Sequence, residues 1–301
     1  MTIPRLTTPF GARSTAAEVL AGVDLAGRRA IVTGGSSGIG AVTARALAAA
    51  HAEVTLAVRS VADGERVAEE NGTATGGAAV AVARLDLADQ DSVAAFVAGW
   101  RGPLHVLVNN AGVMATPPRR TREGWELQFA TNHLGHFALA TGLRGALASA
   151  GRARVVSVSS VGHVGGDVVF DDLHFRRRPY DPWQAYGQSK TANVLFAVGA
   201  ARWAADGIAV NALNPGRITS TRLGRQLDAV PEAPPADQAT SAGVSWKTAE
   251  QGAATSVLLA ASPSRGPPRC RRLRARPGAG RPAVAGLRRG HCPIAAPVAS
   301  R

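Results

Sequence analysis

TGGSSGIG, residues 33–40, closes a valine-bearing run, RAIVTG (29–34), and opens a stretch of helix-forming residues. Each glycine has a physical reason to stand where it does. Gly34 permits a tight turn, Gly38 lets the backbone approach a pyrophosphate, and Gly40 allows a helix to pack closely on the strand. A helix start also leaves unpaired N–H groups and the positive end of the helix dipole, so Ser36, Ser37 and Ile39 are expected beside the phosphates. Three glycines alone would also fit a bare strand-to-helix turn. The reading therefore depends on the elements around it.

Those elements are legible outward from the loop. Short apolar runs recur at EVTLAV (53–58), AVAVARL (79–85), LHVLVN (104–109), ARVVSVS (153–159) and IAVNAL (208–213). They are rich in valine and mostly lack polar alternation, as in strands covered on both faces. Helical stretches such as 39–50, 89–99, 125–148, 184–205 and 247–260 lie between or after them. The alternation predicts an α/β domain with a single doubly wound, Rossmann-like parallel sheet and helices on both faces. Residues 1–28 read as an N-terminal extension with a short helix, 29–262 as the nucleotide-binding catalytic domain, and 229–245, with its three prolines, as a loop or lid within it.

The second strand ends at Val58–Arg59. An acid at this position would accept from a ribose 2′-hydroxyl, whereas an arginine suits a 2′-phosphate, so NADP(H) is favoured over NAD(H). A solvated strand-end arginine is the plainer alternative.

The formal charge of +13 on 301 residues is concentrated at one end. Residues 265–301 hold ten arginines and no acid, which leaves 24 basic against 21 acidic residues before them. So balanced a body lacks the basic face that nucleic-acid binding needs. Of those last 37 residues, 28 are Arg, Pro, Ala or Gly, without a period of 2 or 3.6. Segment 263–301 is expected to be a disordered tail or the product of a reading-frame shift in a G+C-rich gene. Both cysteines, Cys270 and Cys292, fall there, so no disulfide framework is expected in the body. The N-terminus has no signal-like apolar run, and no stretch approaches 18 uncharged apolar residues. A soluble, cytoplasmic protein without membrane contact is expected.

Seven motifs then occur in a fixed order: TGGSSGIG, LDLAD (85–89), NNAG (109–112), TNHLG (131–135), VSVSS (156–160), YGQSK (186–190) and NPG (214–216). Together, over roughly residues 29–260, they closely resemble the short-chain dehydrogenase/reductase family. TNHLGHF and VSSVGH are most similar to its retinol-dehydrogenase-type branch. The resemblance implies a final strand after Ala261, which the altered ending puts in doubt, and a homodimer or homotetramer.

The chemistry can be argued beside the likeness. Of the two tyrosines, only Tyr186 has a lysine, Lys190, one helical turn ahead; Tyr180 has Gln184 there. A helix starting just after Pro182 would put Tyr186 and Lys190 on one face. A phenol near pKa 10 exchanges protons poorly at neutral pH, and an adjacent ammonium is expected to lower that value. Ser160 falls at the carboxyl edge of a strand, where its hydroxyl could donate to a substrate carbonyl; the resemblance selects it over Ser159. The resemblance also implies that Asn132 organises a helix bend and a proton path to the lysine. It places Asp86 and Leu87 at the adenine, Asn109, Ala111 and Gly112 along the adenosine ribose, and Pro215, Gly216 and Ile218 beside the nicotinamide. Ser220 stands where the family usually has threonine.

The expected reaction is reversible hydride transfer between a nicotinamide and a small-molecule carbonyl or alcohol. Tyr186 would exchange the proton, Ser160 polarise the oxygen, and Lys190 bind the ribose. His133, His136 and His163 have no acid or cysteine at ligand spacing, so they read as structural and no metal is expected. Arg119–Arg120 and Arg176–Arg178 read as solvated loop charges, and Phe170, Phe175, Trp183 and Leu223 as hints of an apolar substrate. Two alternatives stand beside this reading: a cofactor-binding but inactive relative, and a nucleic-acid binder driven by the basic tail.

Overall fold

A computed structural model of the chain describes residues 8–75, 80–218, 221–224 and 246–261. The readings made for Ser220, for the 229–245 loop and for the 263–301 tail lie outside the described residues.

The valine-rich runs form six parallel strands: β1 Arg29–Thr33, β2 Glu53–Val58, β3 Val80–Arg84, β4 Val106–Asn109, β5 Ala153–Val158 and β6 Ile208–Leu213. Their order is β3-β2-β1-β4-β5-β6. The chain walks outward from β1 to β3, then returns to lay β4 against the other side of β1. This reversal opens a crevice at the carboxyl ends of β1 and β4, the switch point where such sheets take ligands.

Side-chain alternation sorts the strands onto two cores. Ala30, Val32, Val54, Leu56, Val106, Val108 and Val156 face one side. There they meet α1 (Ala16–Leu20), α2 (Gly38–Ala49), α3 (Val61–Ala74) and α9 (Ala249–Ala261). Ile31, Leu107, Val155, Ile208 and Val210 face the other. That side is covered by α4 (Gln90–Gly99), α6 (Gly135–Gly142), α7 (Arg144–Ser149) and α8 (Pro182–Gly199). Burial on both faces explains the absence of polar alternation in these strands.

Two helices differ from expectation in informative ways. The stretch 125–148 is not one helix but α5 (Leu127–Phe129), a π turn over Ala130–Leu134, α6 and α7. The wider π turn holds Asn132, whose buried amide is engaged by the turn after β4. Gly135 lets the backbone pass close to the Leu87 carbonyl, where an added Cβ would sit 2.2 Å from that oxygen. The 184–205 helix starts earlier, with Pro182 in its first turn and the Asp181 carboxylate accepting from Gln184 N–H at 2.7 Å. It ends at Gly199, and a 3₁₀ stretch, Ala200–Asp206, runs on to a left-handed Gly207.

Candidate active site

One cavity of about 930 Å³ fills the crevice. Its floor is the β1–α2 turn. Gly34 has φ +65°, and a Cβ there would lie 2.9 Å from Ala111 Cα. Gly40 packs so tightly that a Cβ would lie 2.4 Å from the Gly34 carbonyl oxygen. Gly38 also has positive φ, +54°, and faces Thr221. Ser37 makes no side-chain cap on α2, so the first N–H groups of a 12-residue helix lack that partner, and Ser36, Ser37, Gly38, Ile39 and Gly40 all line the cavity. A bare cradle beneath an uncapped helix start fits an anionic pyrophosphate.

At the end of β2, Arg59 is exposed and lines the same cavity, together with Ser60 and Asp63 at the start of α3. Ala111, Gly112, Leu87, Pro215, Gly216 and Ile218 line it as well. Two of the residues chosen by resemblance do not. Asp86 turns its carboxylate back to accept from Ala88 N–H at 3.0 Å, which makes it a turn cap. Asn109 is the last residue of β4 and 1 % exposed, its buried side-chain amide without a hydrogen-bond partner among the described residues. The lining residue is its neighbour Asn110, just past the strand end, whose amide donates to the Thr33 carbonyl at 2.9 Å.

The far wall carries the reactive groups. Ser160 follows β5 with its hydroxyl accepting from Gly162 N–H at 3.1 Å. Tyr186, on α8, lies over Gly162, where a Cβ would come within 3.0 Å of the ring. Burial pushes the Tyr186 phenol up to about 12, and the Ser160 hydroxyl nearby offsets part of that rise. Burial pulls the Lys190 ammonium down to about 8. Lys190 Nζ donates to the Val158 carbonyl at 3.1 Å and lies 5.6 Å from the Tyr186 ring centre. The expected depression of the phenol by the ammonium is not seen. Both groups are desolvated, and the lysine is directed to a carbonyl rather than to the phenolic oxygen. Ser159 has a separate task, donating its hydroxyl to the Lys190 carbonyl at 2.8 Å.

Asn132 ties these parts together from behind. Its Oδ1 accepts from Val113 N–H at 2.8 Å, and its Nδ2 donates to the Val113 carbonyl and to Ser189 Oγ, each at 2.9 Å. Ser189 in turn donates to the Tyr186 carbonyl at 2.7 Å. Gly112 lies between Asn132 and Lys190, with a would-be Cβ 3.2 Å from Asn132 Oδ1 and 3.5 Å from Lys190 Nζ. His136 braces the same turn: its Nδ1 reaches the Asn132 carbonyl at 2.9 Å and its Nε2 the Thr33 hydroxyl at 2.9 Å.

Of the apolar residues singled out from sequence, Trp183 and Leu223 line the cavity. Phe170 is 73 % exposed and does not line it, and Phe175 is buried against Tyr180 and Arg178. Val113, Met114, Gln184 and Trp246 line it without having been anticipated. Nor are the loop arginines all solvated. Arg120 donates to the carbonyls of Gly124, His174 and Phe175, while Arg178 pairs with Asp172 and Gln188. Arg120 clips the loop before α8 to the one before α5, and Arg178 fastens the former to α8 itself.

A six-stranded parallel sheet with a cleft at its switch point and a glycine turn on its first strand is the architecture of Rossmann-type oxidoreductases. The chain belongs to the short chain dehydrogenase family, whose model matches residues 28–231. It is 58 % identical over 254 residues to a probable oxidoreductase of Streptomyces antibioticus, covering 80 % of this chain and 82 % of that one. It is 42 % identical over 202 residues to human retinol dehydrogenase 11, covering 66 % and 63 %. Among solved structures, a protein of Beutenbergia cavernae named as an NAD(P)-dependent gluconate 5-dehydrogenase, with NADP bound at low occupancy, is 30 % identical. It superimposes with a TM-score of 0.60 over 79 % of this chain and 91 % of its own. Among the described residues, no helix is long and apolar enough to cross a membrane.

Proposed function

We propose that this oxidoreductase uses NADP(H) and acts on a neutral carbonyl, or the corresponding alcohol, with an apolar body. The observation that carries the reading is the enclosed Tyr186, beside the Ser160 hydroxyl and one turn from Lys190, in the same cavity as the glycine cradle. When bound, the nicotinamide supplies or accepts the hydride. Residues 34–40 would hold the pyrophosphate on the start of α2. Arg59 would meet the 2′-phosphate, since its guanidinium has no ion-pair partner among the described residues and lines the cleft. Ala111, Gly112, Pro215, Gly216 and Ile218 would border the rest of the cofactor. Asp86 and Asn109 have no part in this proposal.

Tyr186 donates the proton to the carbonyl oxygen. Its raised pKa keeps the phenol protonated at neutral pH, which suits reduction better than oxidation. Ser160 donates to the same oxygen as negative charge grows there. Lys190 holds the ribose hydroxyls, and its position is fixed by Val158 and the Ser159 hydroxyl. Val161, Met114, Trp183, Leu223 and Trp246 supply an apolar wall, and Arg217 lies 5.6 Å over the Trp246 ring.

Energy transfer from the protein's tryptophans to bound NADPH, compared with NADH, tests the cofactor. The expected result is tighter NADPH binding, followed by NADPH consumption with apolar aldehydes and ketones. Binding of neither dinucleotide would overturn the reading.

A further inference from the structure

We propose that a second cavity, at the amino-terminal edge of the sheet, binds a small, multiply charged oxyanion of the phosphate or polycarboxylate kind. It has a volume of about 370 Å³ and is lined by Arg28, His105, Arg152 and Arg154, together with Asp24 and with Ala260 near the end of α9. The strands above it are about 17–20 Å long, so it lies at the opposite end of the sheet from the dinucleotide cleft.

Strand register assembles this cluster from residues far apart in sequence. Ala30, Val106 and Arg154 stand side by side across β1, β4 and β5. Arg28 and Arg152 come two residues before Ala30 and Arg154, so alternation sends them to the same face. His105 N–H donates to the Arg29 carbonyl at 3.0 Å, and Arg154 N–H to the His105 carbonyl at 2.8 Å. The His105 ring accepts from Arg29 N–H through Nδ1 at 3.0 Å, which leaves the proton of the neutral ring on Nε2 as a free donor.

Among the residues lining the cavity three guanidiniums face one carboxylate, Asp24. Asp24 Oδ1 is engaged by His51 at 2.9 Å and by Ala26 N–H at 3.0 Å, and nearby Glu53 pairs with Arg29. Among the described residues, Arg28, Arg152 and Arg154 form no ion pair. Residues 262–301 add no acidic side chain either. Arg28, His105 and Arg154 are half-buried, so their repulsion is only partly screened by water. That repulsion is visible in the groups themselves. Burial and then Arg152 weaken the hold of Arg154 on its proton, while burial and then Arg28 and Arg29 hold the His105 imidazole below its usual range. Clustered, partly desolvated guanidiniums that outnumber the carboxylate beside them are what an oxyanion with several acceptor oxygens satisfies. At about 30 Å³ per water, the cavity takes such an ion together with part of its hydration shell.

Thermal unfolding of the full chain tests this, titrating pyrophosphate and citrate against sodium chloride at matched ionic strength, with and without NADP⁺. A saturable rise in Tm is expected for at least one of the two oxyanions. It should persist with NADP⁺ present, which separates it from pyrophosphate in the cleft, and be lost in R152Q/R154Q. Because the half-buried Arg154 also packs, R152Q alone is the second arm: Arg152 is exposed, and its loss should raise the midpoint concentration at least about tenfold. Equal shifts from chloride, or an unchanged midpoint in R152Q, would overturn the proposal. Failure of NADP⁺ to bind would count against the dinucleotide reading and leave this comparison intact.

Discussion

Lys190 Nζ stands 5.6 Å from the centre of the Tyr186 ring, yet it donates to the Val158 carbonyl at 3.1 Å. The pair thus shares a helix face without the lysine reaching the phenolic oxygen. Burial acts on the two groups in opposite directions, up to about 12 for the phenol and down to about 8 for the ammonium, because each is driven toward its neutral form. A neutral phenol beside a serine hydroxyl is a proton donor waiting for an oxygen. Four of the expectations that follow can be checked on the purified chain.

Removing the phenolic hydroxyl isolates proton transfer from binding. Y186F should lower the rate of carbonyl reduction by roughly 10²–10⁴-fold, the usual worth of a positioned general acid. The ring still fills its place over Gly162, so NADPH affinity should change by no more than a factor of a few. Steady-state turnover and tryptophan-to-NADPH energy transfer read the two quantities separately. Retained turnover would remove Tyr186 from the chemistry.

Lys190 and Tyr186 also give the folded state a pH signature. A base whose folded pKa is depressed contributes stability above its unfolded value, and that stability is lost as pH falls through the folded one. Lys190, shifted from 10.5 to about 8, should therefore make the protein more stable as pH rises from 8 toward 10. Tyr186 acts oppositely: its folded pKa is raised from 10 to about 12, so stability falls as pH climbs past 10. Urea midpoints measured from pH 8 to 10 should rise in the wild type and stay flatter in K190M. A parallel slope in the variant would assign the effect to other groups.

At the end of β2, reversing one charge should reverse the cofactor. R59E replaces a donor for a 2′-phosphate by an acceptor for a 2′-hydroxyl. The ratio of NADPH to NADH dissociation constants should move toward NADH by at least about tenfold, the scale of one charged hydrogen bond. Arg59 is exposed, so the fold should tolerate the change. An unmoved ratio would mean that the arginine is only a solvated strand end, and that Asp63 or another lining residue decides.

The sheet and its glycine turn were readable because they depend on short-range rules. Buried parallel strands need unbroken apolar runs, and the positive φ of Gly34 and Gly38 needs glycine. Tyr186 and Lys190 were readable because one helical turn relates them. What escaped depends on side-chain direction or on contacts made across the fold. Asn109 and Asn110 are adjacent in sequence, but the strand ends between them, so only Asn110 turns to the cleft. The π turn at Ala130–Leu134 answers to the backbone of Val113, which no local period announces. The burial that lowers Lys190, and its bond to the Val158 carbonyl 32 residues earlier, arise only once the fold is assembled.

His136 offers the sharpest check on that hidden bracing. It is 3 % exposed, and its two ring nitrogens link the Asn132 carbonyl to the Thr33 hydroxyl. The carbonyl must receive a proton, so Nδ1 carries it, and Nε2 is left to accept from Thr33. The Thr33 hydroxyl already accepts from the N–H groups of Asn110 and Ala111 at 2.9 and 3.0 Å, so it has only its proton to offer Nε2, and burial of the neutral ring pulls its pKa down from 6.5 to about 3. The sign is that of a depressed base: full stability above pH 6.5, lost progressively as pH falls toward 3. Fully developed, the loss is about 1.4 kcal/mol per pH unit for one proton. Glu126, whose carboxyl burial pushes up, works in the opposite direction from its ordinary value upward, so across the window from pH 6.5 to 5 the wild type is read against a variant that keeps Glu126. H136Q keeps a donor and an acceptor without the titration. Its urea midpoint should fall less steeply than the wild type's across that window, and its turnover at pH 7 should survive in part. A variant that titrates like the wild type would show that the acid sensitivity lies elsewhere and that His136 braces the Asn132 turn without governing it.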